Sequence, residues 1–240
     1  RYLSESIGVV HLEDEVNIRE NIYYSPFHYE DQMGLFVLSS KININSHDYL
    51  KTVANQVDVF TSKIHKRMMV LCTSFLQTQT LRSHLLSRFH RTERRMYVQG
   101  RGTNRQSLIR GYLGHKRSVL IGTSSYWEGV DFPGDQLEVL MIIKIPFAIP
   151  TDPMVVARTE EYKATGRNAF LDYSVPDAIV RLKQGFGRLI RGLNDHGICI
   201  ITDPRILNAR YGEIVLDSFP LMAKPYTNIE TVCDQAENYS

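Results

Sequence analysis

The chain has 240 residues, of which 43% are hydrophobic and 22% charged, so its composition excludes a disordered chain. Its 28 Lys and Arg residues against 26 Asp and Glu residues give a net charge of +2. This balance excludes a strongly basic nucleic-acid arm but leaves room for a local basic patch. Three scattered cysteines and the lack of a long apolar run argue against a disulfide framework and a membrane span, and favour a cytoplasmic protein.

Short apolar runs alternate with helical periodicity along the chain. The apolar runs predict buried strands at 34–39, 68–73, 96–99, 118–122, 137–145 and 197–202. Apolar spacing near 3.6 predicts helices after Ser46, around 81–89 and 108–113, and at 154–165, 176–191 and 205–219. Regular alternation of strands and helices predicts an α/β fold with a mainly parallel sheet and helices on both faces.

The alternation covers residues 34–219, which we expect to form one domain. Residues 1–33 fit the pattern poorly, and we interpret them as an N-terminal extension or a linker from a preceding domain. Residues 220–240 are interpreted as a C-terminal tail. Because the sequence begins at Arg1 without an apolar leader, we expect a piece of a longer protein.

The segment QGFGRLIR at 184–191 carries two arginines suited to phosphate groups. On a helix, Gln184, Arg188 and Arg191 are spaced i, i+4 and i+7 and fall on one face. Gly185 and Gly187 would then lie within the helix, where each costs about 1 kcal/mol relative to Ala. They leave a bare surface for the close approach of a ligand or another backbone. A solvated basic face with two packing glycines is an equal alternative.

Polar residues also follow the fourth predicted strand, where a parallel sheet binds ligands beyond the carboxyl ends of its strands. Thr123 and Ser124 offer hydroxyl and N–H groups to phosphate oxygens. Glu128 and Asp131, which flank Gly129, place two carboxylates in the same loop. They can accept hydrogen bonds from sugar hydroxyls or pair with the arginines. We favour this functional interpretation over that of a polar structural loop.

Two further strand ends carry polar side chains of ambiguous role. Thr73 and Ser74 directly follow the second predicted strand, and Gln99 follows the third. Small hydroxyl residues at a strand-to-helix junction are commonly an N-cap. Their N–H and O–H groups can equally bind a backbone phosphate at a helix N-terminus. Both interpretations stay open at this point.

Three segments together resemble a known family. In chain order, VLCTSF at 70–75, GTSSYWEGVDFPG at 122–134 and QGFGRLIR at 184–191 resemble motifs IV, V and VI of superfamily-two helicases. The wording WEGVDFPG, KIPFAIPTDP and QGFGRLIR is similar to DinG-type helicases, the bacterial relatives of XPD. The strings SPFHYEDQ at 25–32 and YVQG at 97–100 also look like that family. The resemblance covers about residues 20–220.

The resemblance implies a RecA-like three-layer fold and the second motor domain of an ATP-dependent DNA helicase, which acts in DNA repair and lies in the bacterial cytoplasm at the nucleoid. By similarity, Arg188 and Arg191 are arginine fingers that stabilise charge on the γ-phosphate. The implied nucleotide-binding residues are Gln184, Glu128, Gly129 and Asp131. The implied contacts to single-stranded DNA are Thr73, Ser74, Gln99, Thr123 and Ser124.

The sequence also departs from a complete helicase. It contains no P-loop pattern GxxxxGK[ST], no DEAH-like run and no four clustered cysteines for an iron–sulfur cluster. In the family these features belong to the first RecA-like domain. ATP and Mg²⁺ are therefore expected to bind mainly to that domain of the same polypeptide, with no iron–sulfur cluster in this chain and no ATPase activity of the chain alone. The alternative is a stand-alone nucleic-acid-binding or protein-interaction module without ATPase activity.

Overall fold

The computed structural model describes residues 19, 21, 25–90, 92–124, 132 and 134–239, which contain one seven-stranded sheet. Its strands are β1 Met33–Leu38, β2 Met68–Cys72, β3 Arg95–Val98, β4 Ser118–Thr123, β5 Val139–Ile142, β6 Gly197–Ile201 and β7 Lys224–Tyr226. The order across the sheet is β3-β4-β2-β5-β6-β1-β7, and every neighbouring pair is parallel. The predicted parallel α/β sheet is thus confirmed.

The central strands are buried on both faces, as their continuous apolar runs predict. Every residue of β2, β5 and β6 is buried. In β2, Met68 lies opposite Val119 on one side and Val139 on the other. Because all strands run in the same direction, their carboxyl ends share one edge of the sheet and their amino ends the other. We call these the carboxyl edge and the amino edge.

Helices cover both faces of the sheet and produce a three-layer α/β/α arrangement. They are α1 Tyr29–Gln32, α2 His47–Lys63, α3 Phe75–Phe89, α4 Arg105–Leu113, α5 Pro153–Ala164, α6 Val175–Phe186, α7 Arg205–Asn208, α8 Arg210–Asp217 and α9 Ile229–Ala236. One core joins the sheet to α2, α3 and α9 and includes Val53 and Leu81. The other joins it to α4, α6 and α8 and includes Tyr112 and Leu182. Full burial of such a side chain stabilises the fold by about 1.5–3 kcal/mol.

Local signals fix the limits of several helices. Asp152 caps α5, since its Oδ1 accepts a hydrogen bond from the Met154 amide at 2.9 Å, and Pro153 occupies the first helical position. Gly166 follows α5 with a φ of 71°, the left-handed conformation expected after a helix C-terminus. Ser46 precedes α2 as predicted, although its side chain makes no capping hydrogen bond.

The prediction of one helix over 205–219 is wrong, because the structure has two helices there, α7 and α8. Ala209 is extended between them, with φ −98° and ψ 146°. At Gly212 the backbone passes so close to the Ile206 carbonyl that a side chain has no room. The apolar spacing continues across this junction, so periodicity alone does not reveal the break.

The fold also extends beyond residue 219. β7 pairs with β1, with Val37 opposite Pro225, and α9 packs into the first core through Ile229 and Val232. Part of the segment interpreted as a tail therefore completes the sheet, while the domain limits within a longer protein stay a prediction. In the part of the chain that the structure describes, no helix has the length and apolar character needed to cross a membrane.

Candidate functional site

Thr73 and Ser74 lie exposed at the carboxyl edge, directly after β2, where they start α3. Ser74 Oγ accepts a hydrogen bond from the Gln77 amide at 3.3 Å. Gln77 Oε1 reaches back and accepts from the Thr73 amide at 2.9 Å and from Thr73 Oγ1 at 3.1 Å. This reciprocal arrangement resembles a capping box and confirms the N-cap interpretation. A phosphate contact by the same residues stays a prediction.

Gln99 joins the ends of β3 and β4. Its Oε1 accepts hydrogen bonds from the Thr123 amide at 2.7 Å and from Thr123 Oγ1 at 3.0 Å. Its carbonyl oxygen accepts from Thr78 Oγ1 at 3.1 Å and from Gln79 Nε2 at 3.0 Å. Gln99 is only 5% exposed and holds Thr123 in place through these hydrogen bonds. Contacts of Gln99 and of the half-buried Thr123 and Ser124 with DNA stay predictions.

A cleft of 370 Å³ opens at the carboxyl edge between these strand ends and the elements that precede α6. Thr73, Ser124, Met154, Tyr173 and Arg181 contribute to its wall. Arg181 Nε lies 2.8 Å from Asp177 Oδ2, one helical turn earlier. The Tyr173 hydroxyl, whose pKa burial raises further above neutral, is protonated and can donate a hydrogen bond. The cleft therefore offers hydroxyls, a phenol and a guanidinium to an anionic, partly apolar ligand.

Sequence reasoning missed Tyr173 and Arg181, and it also missed a buried polar network beside the cleft. Asp203, the second residue after β6, is fully buried and accepts hydrogen bonds from the Ile145 amide at 2.8 Å and from Arg205 Nη2 at 2.7 Å. Burial and the nearby charge of Arg205 lower the pKa of Lys144. The string TDPR at 202–205 was a usable signal, because it follows an apolar strand just as Thr73 does.

The helix that carries the motif VI resemblance ends earlier than predicted. α6 ends at Phe186, and Gly187 is its C-cap, with its amide donating to the Lys183 carbonyl at 2.8 Å. Arg188 and Arg191 therefore do not continue the helical face of Gln184, and the prediction of one helix over 176–191 is wrong. Gly185 and Gly187 lie at the helix end, where low helix propensity favours termination.

Beyond α6, the segment 187–196 forms a loop with its own hydrogen bonds. Asp195 Oδ2 accepts from the Arg191 amide at 2.8 Å and from the Gly192 amide at 2.7 Å. Gln32 Nε2 donates to the carbonyl oxygens of Gly192, Leu193 and Asp195 at 3.0–3.1 Å. Because Gln32 directly precedes β1, it ties this loop to the start of the sheet.

The predicted site residues thus fall into two groups at opposite ends of the strands. Loop 187–196 leads into the first residue of β6, against which Leu189 packs, so the two arginines lie toward the amino edge. Gln184 is exposed on the last turn of α6. The carboxyl edge gathers Thr73, Ser74, Gln99, Thr123 and Ser124. Glu128, Gly129 and Asp131 lie outside the described residues.

Comparisons with known proteins bear on this arrangement. Residues 57–221 match the family model of the helicase C-terminal domain. The chain is 36% identical over 204 residues to the ATP-dependent DNA helicase YoaA of Haemophilus influenzae, covering 85% of this chain and 31% of that protein. It is 31% identical over 226 residues to the ATP-dependent DNA helicase DinG of Photobacterium profundum, covering 91% and 32%. The chain therefore spans about a third of the length of these curated relatives.

Solved structures show the fold. An XPD helicase superposes with a TM-score of 0.60 at 18% identity, covering 81% of this chain and 35% of that chain. Domain 2 of the DEAD-box helicase Mss116p, bound to an RNA duplex, superposes with a TM-score of 0.51 at 14% identity, covering 86% and 69%. The α/β fold is therefore RecA-like. With the match over 57–221, the chain belongs to the helicase C-terminal domain family, and it is similar in sequence to the YoaA and DinG helicases.

Proposed function

We propose that this chain is the second motor domain of an ATP-dependent DNA helicase, with ATP chemistry at the amino edge and single-stranded DNA at the carboxyl edge. Family membership supports a helicase motor domain, and the relatives YoaA and DinG are named ATP-dependent DNA helicases. The observation that carries the proposal is loop 187–196, which contains Arg188 and Arg191. Hydrogen bonds from Asp195 and Gln32 hold the backbone of this loop.

At the amino edge, Arg188 and Arg191 act on the γ-phosphate of an ATP molecule bound by the first RecA-like domain of the same polypeptide. Their guanidinium groups donate hydrogen bonds to phosphate oxygens and offset the negative charge of the transition state. The hydrogen bonds of Asp195 and Gln32 hold the loop in place before ATP arrives, which limits reorganisation during the reaction. Gln184, on the preceding helical turn, contacts the nucleotide, and so do Glu128, Gly129 and Asp131.

Mg²⁺ does not fit the described part of this edge. Two arginines repel a cation, and within the described ranges no three His, Cys, Asp or Glu side chains come together as ligands. Mg²⁺ and most of the ATP contacts therefore belong to the first domain in this proposal.

At the carboxyl edge, Thr73, Ser74, Thr123 and Ser124 contact the backbone of single-stranded DNA. The hydroxyl groups of Ser74 and Ser124 suit phosphate oxygens, and the start of α3 adds the positive end of a helix dipole. Thr73 and Thr123 donate to Gln77 and Gln99 in this structure and would exchange those hydrogen bonds for bonds to phosphate. Gln99 positions Thr123 through its two hydrogen bonds. These contacts carry no base specificity, which suits a motor that moves along any sequence.

The test is Arg191→Ala in the full-length polypeptide, with release of phosphate from ATP as the measurement. We expect kcat to fall by about 10³-fold, in the range that an arginine finger supplies. Binding of single-stranded DNA, measured by fluorescence anisotropy, should be unchanged, because the DNA contacts lie at the other edge. The 240-residue chain alone should release no phosphate above background.

The matched control is Arg158→Ala on α5, which removes a partly exposed arginine paired with Glu161 at 3.0 Å. We expect its ATPase rate to equal that of the unaltered enzyme. Full ATPase activity of the Arg191→Ala enzyme would contradict the finger role. Turnover by the 240-residue chain at the rate of the full-length enzyme would contradict the dependence on a first domain.

A further inference from the structure

The charge of this chain is distributed very unevenly. Residues 82–117 contain ten Lys and Arg residues and a single acidic residue, Glu93, for a local net charge of +9. The rest of the chain holds 18 basic and 25 acidic residues, for a net charge of −7. The overall charge of +2 therefore conceals a strongly basic segment on an otherwise acidic protein. Such a segment attracts polyanions to one part of the surface.

The structure places this segment around β3, which is the outermost strand on one side of the sheet. A groove of 480 Å³ runs beside the strand, between α3 and α4. Arg82 on α3 and Arg101 after β3 line it, while Met96, Val98 and Leu108 provide apolar surface. The groove therefore pairs cationic groups with an apolar floor, as a nucleic-acid strand requires for its phosphates and its sugars and bases.

The two groove arginines differ from their neighbours in their partners. Arg88 and Arg94 both pair with Asp58, at 3.0 and 2.8 Å, and are committed to the fold. Arg82 and Arg101 are exposed, and within the described ranges neither forms an ion pair. Their charge is therefore available to a ligand.

The edge of β3 adds hydrogen-bond donors. The amides of Arg95 and Gln99 donate to carbonyl groups of Arg117 and Ile121, at 3.0 and 2.9 Å. Because hydrogen-bonding groups alternate along a strand, the amides of Met96 and Val98 face away from β4. Among the described residues no strand pairs on that side of β3.

The groove is continuous with the carboxyl edge. Gln99, whose side chain holds Thr123, is followed directly by Gly100 and Arg101, which line the groove. A strand that lies on Thr123 and Ser124 can thus continue past Arg101 without crossing the acidic remainder of the surface. This continuity favours nucleic acid over an acidic protein segment as the occupant.

We propose that the Arg82–Arg101 groove binds the phosphodiester backbone of single-stranded DNA that continues beyond the motor's own contacts. The inference rests on the proposed function, because it extends the DNA path from the carboxyl edge. The groove lengthens the bound stretch and helps to retain the strand when contacts at the carboxyl edge change during a step.

The experiment measures binding of the 240-residue chain to fluorescein-labelled single-stranded DNA of about 8 and about 25 nucleotides, lengths that bracket a short and an extended site. For Arg82→Gln/Arg101→Gln, we expect affinity for the long strand to fall about 25-fold near 0.1 M salt. The slope of log K against log salt should shrink by about 1.4, since each lost phosphate contact on a single strand removes about 0.7. Affinity for the short strand should change little.

The control is Lys63→Gln/Arg210→Gln, which removes two exposed cations from other helices and should leave both affinities unchanged. Thr73→Val at the carboxyl edge should weaken the binding of both the short and the long DNA. If the groove variant binds the long DNA with unchanged affinity and salt slope, the proposal that the groove binds DNA is overturned, even if Thr73→Val behaves as expected. If the short strand fails to bind the unaltered chain, the proposed function fails instead. A poly-glutamate peptide that displaces the long strand at equal charge concentration would identify an acidic-peptide site and overturn the DNA assignment.

Discussion

Asp203, which lies just after β6, connects the segment after β5 to the start of α7. Its carboxylate is fully buried and accepts from the Ile145 amide, from the Arg205 amide at 3.0 Å, and from the Arg205 guanidinium. A buried charge is tolerated only when paired and hydrogen-bonded, and both conditions hold here. The residue therefore fixes the carboxyl edge between β5 and β6, where the cleft opens.

We predict that Asp203→Asn lowers the free energy of unfolding by about 3 kcal/mol, the low end for breaking a buried ion pair, because Arg205 keeps partial access to solvent. Urea unfolding monitored by circular dichroism measures the change. The control Glu161→Gln breaks an exposed pair with Arg158 and should cost less than about 0.5 kcal/mol. Equal stabilities of the two variants would show that the buried pair contributes nothing.

At the scale of elements, the loop between α6 and β6 depends on one distant side chain. The Gln32 amide is 5% exposed and serves three carbonyl groups of the loop, from a position more than 150 residues earlier in the chain. The loop is therefore held by the start of β1 as well as by Asp195.

We expect Gln32→Leu to lower the free energy of unfolding by about 1–3 kcal/mol, since three partly buried carbonyl groups lose their donor. Hydrogen exchange at the amides of Arg191 and Gly192 should accelerate, because their bonds to Asp195 then lie on a looser loop. Mass spectrometry of the peptic peptides that contain Arg191 and Gly192 measures this exchange. Gln106→Leu, at an exposed position on α4, serves as the control. Unchanged exchange in Gln32→Leu would mean that Asp195 alone orders the loop.

The same elements show what the sequence predicts and what it does not. Apolar runs and caps predict the strands and most helix limits, because these depend on neighbouring residues. The end of α6 was missed since the apolar pattern continues through Leu189 and Ile190, which are buried after the helix has ended. The bonds of Gln32 and Asp203 join residues far apart in the chain, and no local pattern reports such pairs.

At the scale of the whole molecule, burial of the thiols makes the free energy of unfolding depend on pH in the alkaline range. Burial raises the pKa of Cys72 and Cys199 and raises that of Cys233 to about 11, from an ordinary value of 9.0. Well below pH 9 the thiols are protonated in both states and contribute no pH dependence. Above it, the unfolded chain releases protons first, so the folded state loses stability as pH rises through this range.

We therefore predict that the free energy of unfolding falls by about 1 kcal/mol for each thiol between pH 9 and 10, where the unfolded thiol goes from half to about nine-tenths ionised. Urea unfolding at pH 7.5, 9 and 10 measures the slope. A Cys72→Ala/Cys199→Ala/Cys233→Ala variant should be less stable at every pH but show a flatter profile, which separates ionisation from lost packing. Identical slopes would assign the alkaline loss to other groups.

The charge of the molecule shows a similar limit of sequence reasoning. A net charge of +2 allows a local basic patch without locating it. Counting charges in segments finds residues 82–117, but only the structure shows that Arg88 and Arg94 are committed to Asp58 while Arg82 and Arg101 face a groove. Likewise, motif order predicts which residues serve the helicase, while the direction of the strands separates them into two edges.

The all-parallel sheet has a mechanical consequence. A five-residue strand such as β2 or β6 spans about 17 Å and, buried on both faces, cannot stretch or bend appreciably. On the proposed function, the domain then behaves as a stiff lever between ATP and DNA. A rotation produced at the arginine loop would reach the strand ends undiminished, so the length of each step along DNA would be determined by the hinge between motor domains rather than by deformation within this one.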